Sequence, residues 1–289
     1  MAITAAMVKE LRERTGLGML DCKKALEETD GDLELAIEEL RKKSALKAAK
    51  KAGRTTADGL LGVKVADDGS RGAMVEVNIE TDFAAKNEKF IAFVDKVLNL
   101  VYESTDGDLA AILAAGVDAE RETLVQEIGE NITVRRARLL TSEAGGIASY
   151  LHGDQRKGTL VALSASNNEL GRDIAMHVTA INPMVVRSED VPADVLDKER
   201  EIYSTQAQDS GKPEEIVVKM VEGRVRKFLA EVSLVDQPFV KDPNTKVGAL
   251  AKAAGADVVD FVRFEVGEGI DIDDVDFAAE VAAQLKDSE

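Results

Sequence analysis

Twice along the chain, near residues 59–103 and 146–182, two short stretches with apolar side chains at every second position lead into a polar junction and then into apolar residues at helical spacing. A period of two places alternate side chains on opposite faces of a strand, and a period of about 3.6 gathers them on one stripe of a helix. Each unit therefore reads as a hairpin with a helix laid against it, which makes the class α+β. In the first unit Leu60–Val65 and Ala73–Glu80 flank the turn residues Asp67-Asp68-Gly69-Ser70. Val75, Val77 and Ile79 point one way, and Glu76, Asn78 and Glu80 the other. The helix spans Asn87–Glu103 with Phe90, Ile91, Val94, Val97, Leu98 and Val101 inward. Shorter helices fit Asp108–Ala115 and Ala119–Ile128, and a strand fits Ile132–Thr141. In the second unit Ile147–Leu151 and Thr159–Ser164 flank a polar run from His152 to Gly158, and a helix over Asn167–Ile181 ends before Pro183. Gly59 to Gly72 and Gly146 to Gly158 nearly repeat one spacing although few residues are shared, which predicts a structural repeat.

The rest of the chain has helical patterning. Thr4 caps a helix running to Thr15, punctuated by Gly16 and Gly18; a second fits Met19–Glu28; Asp32 caps a third, with Leu33, Ala36, Ile37 and Leu40 on one stripe. In the second helix Met19, Cys22, Ala25 and Leu26 share a face that either the third helix or a partner covers, and Leu20 falls off it. Residues 192–232 read as a helical hairpin bent at Gly211-Lys212-Pro213. Val218, Val221, Val225, Phe228 and Val232 form an a/d seam that Val195, Ile202 and Tyr203 answer weakly, so the arm is either a plain core hairpin or a projecting contact. Residues 237–243 read as a Pro-containing loop, Thr245–Ala254 as a short helix with Leu250 buried, Val258–Val266 as a strand, and Phe277–Leu285 as a closing helix.

With 54 acids against 37 bases the net charge is −17, which repels nucleic acid and anionic lipid in general. Residues 41–57 are the exception: they hold seven bases and no acid, leaving −24 on the remainder. That segment is either a solvated connector or a patch for an acidic surface, and it has no aromatic residue to stack on bases. The single cysteine, Cys22, excludes an intrachain disulfide. With only two histidines besides, no thiolate or imidazole metal site is expected. His152 and His177 have no nucleophile at a suggestive spacing, and His177 reads as a satisfied, partly buried side chain. Gly153 and Gly158-Thr159 lack the lysine of a phosphate-binding loop and join two strands; Gly16-x-Gly18 lies between helices. The acids Asp271, Asp273, Asp274 and Asp276 lack the glycine and glutamate a calcium loop requires. No catalytic residue, resident metal or cofactor is expected. No apolar run approaches the ~18 residues of a membrane span. Lys9, Glu10, Arg12, Glu13 and Arg14 stand where a signal peptide would be apolar, so a cytoplasmic chain without membrane contact is expected.

Thr81-Asp82-Phe83-Ala84 is the local anomaly. It falls after a well-patterned strand and before the helix, with Thr81 or Asp82 placed to cap a turn and Phe83 outside any periodic face. Phe83 either staples onto its own helix or is an aromatic anchor for a partner, flanked by a carboxylate.

At this point the chain resembles a known family. Val8-Lys9-Glu10-Leu11-Arg12-Glu13-Arg14-Thr15-Gly16 followed by Gly18-Met19-Leu20-Asp21-Cys22-Lys23-Lys24-Ala25-Leu26 is similar to the N-terminal signature of bacterial elongation factor Ts. Glu80-Thr81-Asp82-Phe83 resembles that family's core motif. His177-Val178, Gly211-Lys212-Pro213, Val221-Glu222-Gly223-Arg224, Gln237-Pro238-Phe239-Val240 and Arg263-Phe264-Glu265-Val266-Gly267-Glu268-Gly269 follow in the family's order. The resemblance implies a ubiquitin-associated-like three-helix bundle with a basic connector over 1–56 and an α+β core of two parts, 57–142 and 143–187 with 230–264. It further implies a projecting coiled-coil hairpin over 188–229 and a C-terminal helical module over 265–289.

In function it implies a guanine-nucleotide exchange factor without covalent chemistry. Such a factor binds elongation factor Tu in its GDP-bound and nucleotide-free forms, without direct nucleic-acid contact, as a homodimer or a heterotetramer in some relatives. The family's Thr-Asp-Phe motif displaces Mg²⁺ on the partner, a role that carries to Thr81, Asp82, Phe83 and Ala84; relatives often have Val at the fourth position. Arg12, Met19 and Leu20 match positions that meet the partner's nucleotide domain.

Overall fold

The computed structural model describes residues 3–208 and 213–271. Three helices come first: α1 (Ala5–Thr15), α2 (Met19–Glu28) and α3 (Leu33–Lys51). Thr4 and Asp32 cap α1 and α3 by accepting the Met7 and Leu35 amides, as their sequence positions predict. Gly16 closes α1 at φ 73°, a left-handed turn that favours glycine. Val8, Leu11, Leu17, Cys22, Ala25, Leu26, Ala36 and Leu40 form the bundle's core. The third helix therefore covers the Cys22–Ala25–Leu26 face and leaves Met19 outside it.

α3 runs on through the basic segment to Lys51, longer than its apolar stripe indicated. There Lys42 pairs with Glu38 and Glu39, Lys43 with Glu28 and Arg54 with Glu80, while Lys51 donates to the Gly129 carbonyl. These bases are largely spent on the protein's own acceptors.

The hairpin of β1 (Asp58–Val65) and β2 (Arg71–Ile79) leads into a single turn, α4 (Asp82–Ala85), and then α5 (Glu88–Glu103). The expected helix from Asn87 is thus preceded by a turn of its own, and Phe93 takes the inward place expected of Ile91, which is exposed. α6 (Leu109–Ile112) stops short of Ala115; a wide turn over Leu113–Val117 joins it to α7 (Asp118–Ile128). β3 (Ile132–Thr141) returns beside β2, giving a sheet of order β1-β2-β3.

The second unit repeats this plan: β4 (Ile147–Leu151), β5 (Lys157–Leu163) and α8 (Asn168–Ile181). A helical arm interrupts it, α9 (Ala193–Gln208) and α10 (Glu214–Val232). A two-stranded ribbon, β6 (Pro238–Phe239) with β7 (Asp242–Lys246), stands where a plain loop was expected, followed by α11 (Val247–Ala253) and β8 (Val258–Glu265). In α11 Val247 and Ala251 are buried and Leu250 only partly so. β8 pairs with β5, so the second sheet is β4-β5-β8, with the hairpin's second strand central as in the first. The closing helix expected at Phe277–Leu285 and the acids Asp273, Asp274 and Asp276 lie outside the described residues.

Val75, Val77 and Ile79 pack with Phe90, Val94, Val97 and Val101 of α5, and Val161 and Leu163 pack with Ile174 and Val178 of α8. The other faces of the two sheets meet each other through Leu61, Met74, Leu160, Phe264 and Val266. β2 is therefore covered on both sides, and Glu76 and Asn78, expected on the polar face, are fully buried. In the arm Val225 is buried while Val218 and Ile202 are exposed, so only part of the predicted seam closes.

His177 is buried and fully satisfied. Its Nδ1 accepts the Val240 N–H at 3.1 Å, so the proton sits on Nε2, which donates to Gln237 Oε1 at 2.9 Å. Burial lowers its pKa, and the Gln237 bond offsets only part of that. The native state holds the ring neutral while the unfolded chain takes a proton at about pH 6.5. Stability should thus rise with pH from the lowered native value up to about 6.5 and level off above. Denaturation midpoints measured across that window should show a steeper slope for the wild type than for His177→Gln; equal slopes would contradict the burial argument.

Candidate functional site

β2 ends at Ile79, and the next four residues turn the chain toward α5. Thr81 Oγ1 accepts the Ala84 N–H at 3.2 Å, capping the single turn of α4. Ala85 tucks into the first core and Ala84 packs half-buried against it. Helical spacing then leaves Asp82 and Phe83 on the outer side. Phe83 is 81% exposed, which excludes the staple reading of its ring. Lys86 donates to Asp82 Oδ2 at 2.9 Å, and its ammonium stands 5.3 Å from the centre of the Phe83 ring. The Lys86 hydrogen bond and charge hold the Asp82 carboxyl below its usual value, so it is ionised at neutral pH.

This turn is fastened from two sides. Glu130, between α7 and β3, accepts the Thr81 N–H at 3.0 Å and the Thr81 hydroxyl at 2.8 Å. Glu80 in return accepts the Asn131 N–H at 2.6 Å. In the sequence Glu80 reads only as the last polar-face residue of its strand, and Glu130 stands in a Gly-Glu-Asn turn that by itself announces only a helix end.

The N-terminal bundle presents a second set of exposed groups. Arg12 is exposed on α1, and Met19 and Leu20 open α2 at 61% and 84% exposure. The bundle docks on the first core half through α3 and α7, where Ser44 donates to Gln126 Oε1 at 2.6 Å. Near the other junction Lys89, in the first turn of α5, donates to the Gly16 carbonyl at 3.3 Å and to Glu127 at 2.6 Å. The loop that leads into Met19 and Leu20 is thereby tied to the helix that follows Phe83. A free apolar side chain of this size loses its favourable burial, about 2 kcal/mol, to water. Met19, Leu20 and Phe83 each stand largely outside the cores of their own units.

No group of three or more His, Cys, Asp or Glu among the described residues is placed to hold a metal ion. No helix among them is long and apolar enough to cross a membrane.

The family model described as Elongation factor TS matches residues 80–268. Over 285 residues the chain is 59% identical to "Elongation factor Ts" of Hahella chejuensis, covering 99% of each. It is 59% identical to the protein of that name from Saccharophagus degradans, over 99% of this chain and 98% of the other. Identity to the Methylococcus capsulatus protein is 54% over the full length of both.

Proposed function

The chain belongs to the elongation factor Ts family of translation elongation factors, and we propose on that premise that it binds elongation factor Tu·GDP, displaces Mg²⁺ and promotes GDP release so that GTP can bind. The observation that carries this reading is Phe83: a large aromatic ring held outside the fold on a short, doubly fastened turn. A GTPase grips its nucleotide through backbone amides and a bound Mg²⁺. A rigid apolar wedge inserted between the partner's helices moves those amides. The Asp82 carboxylate beside it then competes for groups around the metal. Arg12, Met19 and Leu20 hold the partner's nucleotide domain while this happens.

Such a factor needs no nucleophile or proton shuttle. It must bind the nucleotide-free partner more tightly than the loaded one, and by linkage the nucleotide weakens the factor's own binding by the same ratio. The test is release of fluorescently labelled GDP from elongation factor Tu with substoichiometric amounts of this protein. Acceleration over the spontaneous rate is the expected result, and an unchanged rate would overturn the proposal.

A further inference from the structure

We infer that Glu130 is a positioning residue for the exchange turn: its carboxylate sets the direction of the Thr81 hydroxyl and thereby the pose of Asp82 and Phe83. This rests on the exchange reading above. A threonine hydroxyl has one proton and two lone pairs. Glu130 takes the proton at 2.8 Å, which leaves a lone pair of Oγ1 facing the Ala84 N–H at 3.2 Å. The same carboxylate takes the Thr81 N–H at 3.0 Å through its other oxygen. A hydroxyl without that acceptor is free to turn its proton toward another acceptor and let go of the Ala84 amide. The cap of a helix only four residues long would then be lost, and only the small side chains of Ala84 and Ala85, packed on the core, would hold the turn in its place.

The fastening is reciprocal. Glu80 accepts the Asn131 N–H and Glu130 accepts the Thr81 N–H, so residues 80–81 and 130–131 each supply one carboxylate to the other's backbone. Glu80 is further paired with Arg54 at 3.5 Å. Hydrogen bonds with an ionised acceptor are stronger than neutral ones, so the pair holds the end of β2 against the start of β3. A wedge transmits force only if its base does not yield, and this clamp is the base. Glu130 touches neither the nucleotide nor the metal in this account; it acts through Thr81.

The experiment uses the full chain with Glu130→Ala, Glu130→Gln, Thr81→Val, the Glu130→Ala/Thr81→Val double variant, and Phe83→Ala as reference. In the free protein, amide hydrogen exchange of a peptide covering residues 80–86 should quicken about tenfold in Glu130→Ala, as for loss of a cap worth about 1.4 kcal/mol. Protection in α8 should stay unchanged. Stimulated GDP release should fall about tenfold in Glu130→Ala and in Thr81→Val, and the double variant should be no slower than either. Glu130→Gln keeps one acceptor oxygen for the hydroxyl but sets its amide NH2 against the Thr81 N–H, so it should recover only part of the loss. Unchanged exchange at 80–86, or single losses that multiply in the double variant, would overturn the inference. Full stimulation by Phe83→Ala would instead remove the wedge reading; loss with Phe83→Ala but not with Glu130→Ala would remove only the role given to Glu130.

Discussion

Replacing Phe83 by alanine is expected to slow stimulated GDP release from elongation factor Tu by about thirtyfold or more while leaving the thermal midpoint where it is. The two halves of that expectation come from one number. A ring that is 81% exposed contributes almost nothing to the free protein's core, so its removal leaves no cavity and no stranded polar group. An aromatic anchor at the centre of an interface is commonly worth about 2 kcal/mol or more, and about 1.4 kcal/mol is a factor of ten. Asp82→Ala should do less, because the Asp82 carboxylate is already partnered by Lys86 in the free protein and must leave that bond to act. Stopped-flow release traces for the two variants, with melting curves alongside, check this. Wild-type stimulation by Phe83→Ala would end the wedge mechanism; a lost melting transition would show that the ring holds the fold together, contrary to its exposure.

The residues differ in how plainly their roles could be read from their neighbours in sequence. Caps were legible because they depend on local chemistry alone: Thr4 and Asp32 each accept the amide three residues on, inside the helix they open. Strand faces were legible for the same reason. What covers a face is a tertiary fact, and there the pattern misled: Glu76 and Asn78 alternate with Val75 and Val77 as a solvent face would, yet the second sheet lies over them. The two-stranded ribbon at 238–246 was hidden by Pro238 and Pro243, which suit a loop as well as an edge. At the candidate site, Phe83 stood out because it broke the periodic pattern, and its pattern left both a staple and an anchor open. Glu130 could not be found this way, since its partner lies 49 positions back along the chain.

The buried carboxylate of Glu76 carries the largest stability expectation. It is fully buried and accepts four donors: the Gly267 N–H at 2.9 Å, Asn78 Nδ2 at 3.0 Å, Arg135 Nη1 at 3.0 Å and Arg136 Nε at 2.5 Å. Gly267 reaches it at φ 77°, where a Cβ would collide with the Ala57 carbonyl, so only glycine delivers that N–H. Arg136 meanwhile stacks 4.2 Å from the centre of the Phe264 ring and donates to the Glu265 carbonyl at 3.1 Å.

One carboxylate therefore ties β2 and β3 of the first sheet to the end of β8 in the second, at the seam between the two halves of the core. Burial by itself would raise its pKa; the Gly267 amide, Arg136 and Asn78 outweigh it, and the group stays below the ordinary carboxylate value. Glu76→Ala takes the shared acceptor away from two part-buried guanidinium groups and two amides and should cost about 3 kcal/mol, or roughly 10 °C in the thermal midpoint. Glu76→Gln keeps the shape and loses the charge, and should cost less.

The pH dependence separates charge from packing. Because the native pKa is lowered, the ionic contribution is complete above the unfolded value of about 4.3 and disappears as pH falls through the native one. The gap between wild type and Glu76→Gln should consequently close on acidification below about pH 4.3, whereas the gap to Glu76→Ala should keep its cavity part. A gap to Gln that persists unchanged at the acid end would mean that shape, and not the ion cluster, joins the two halves.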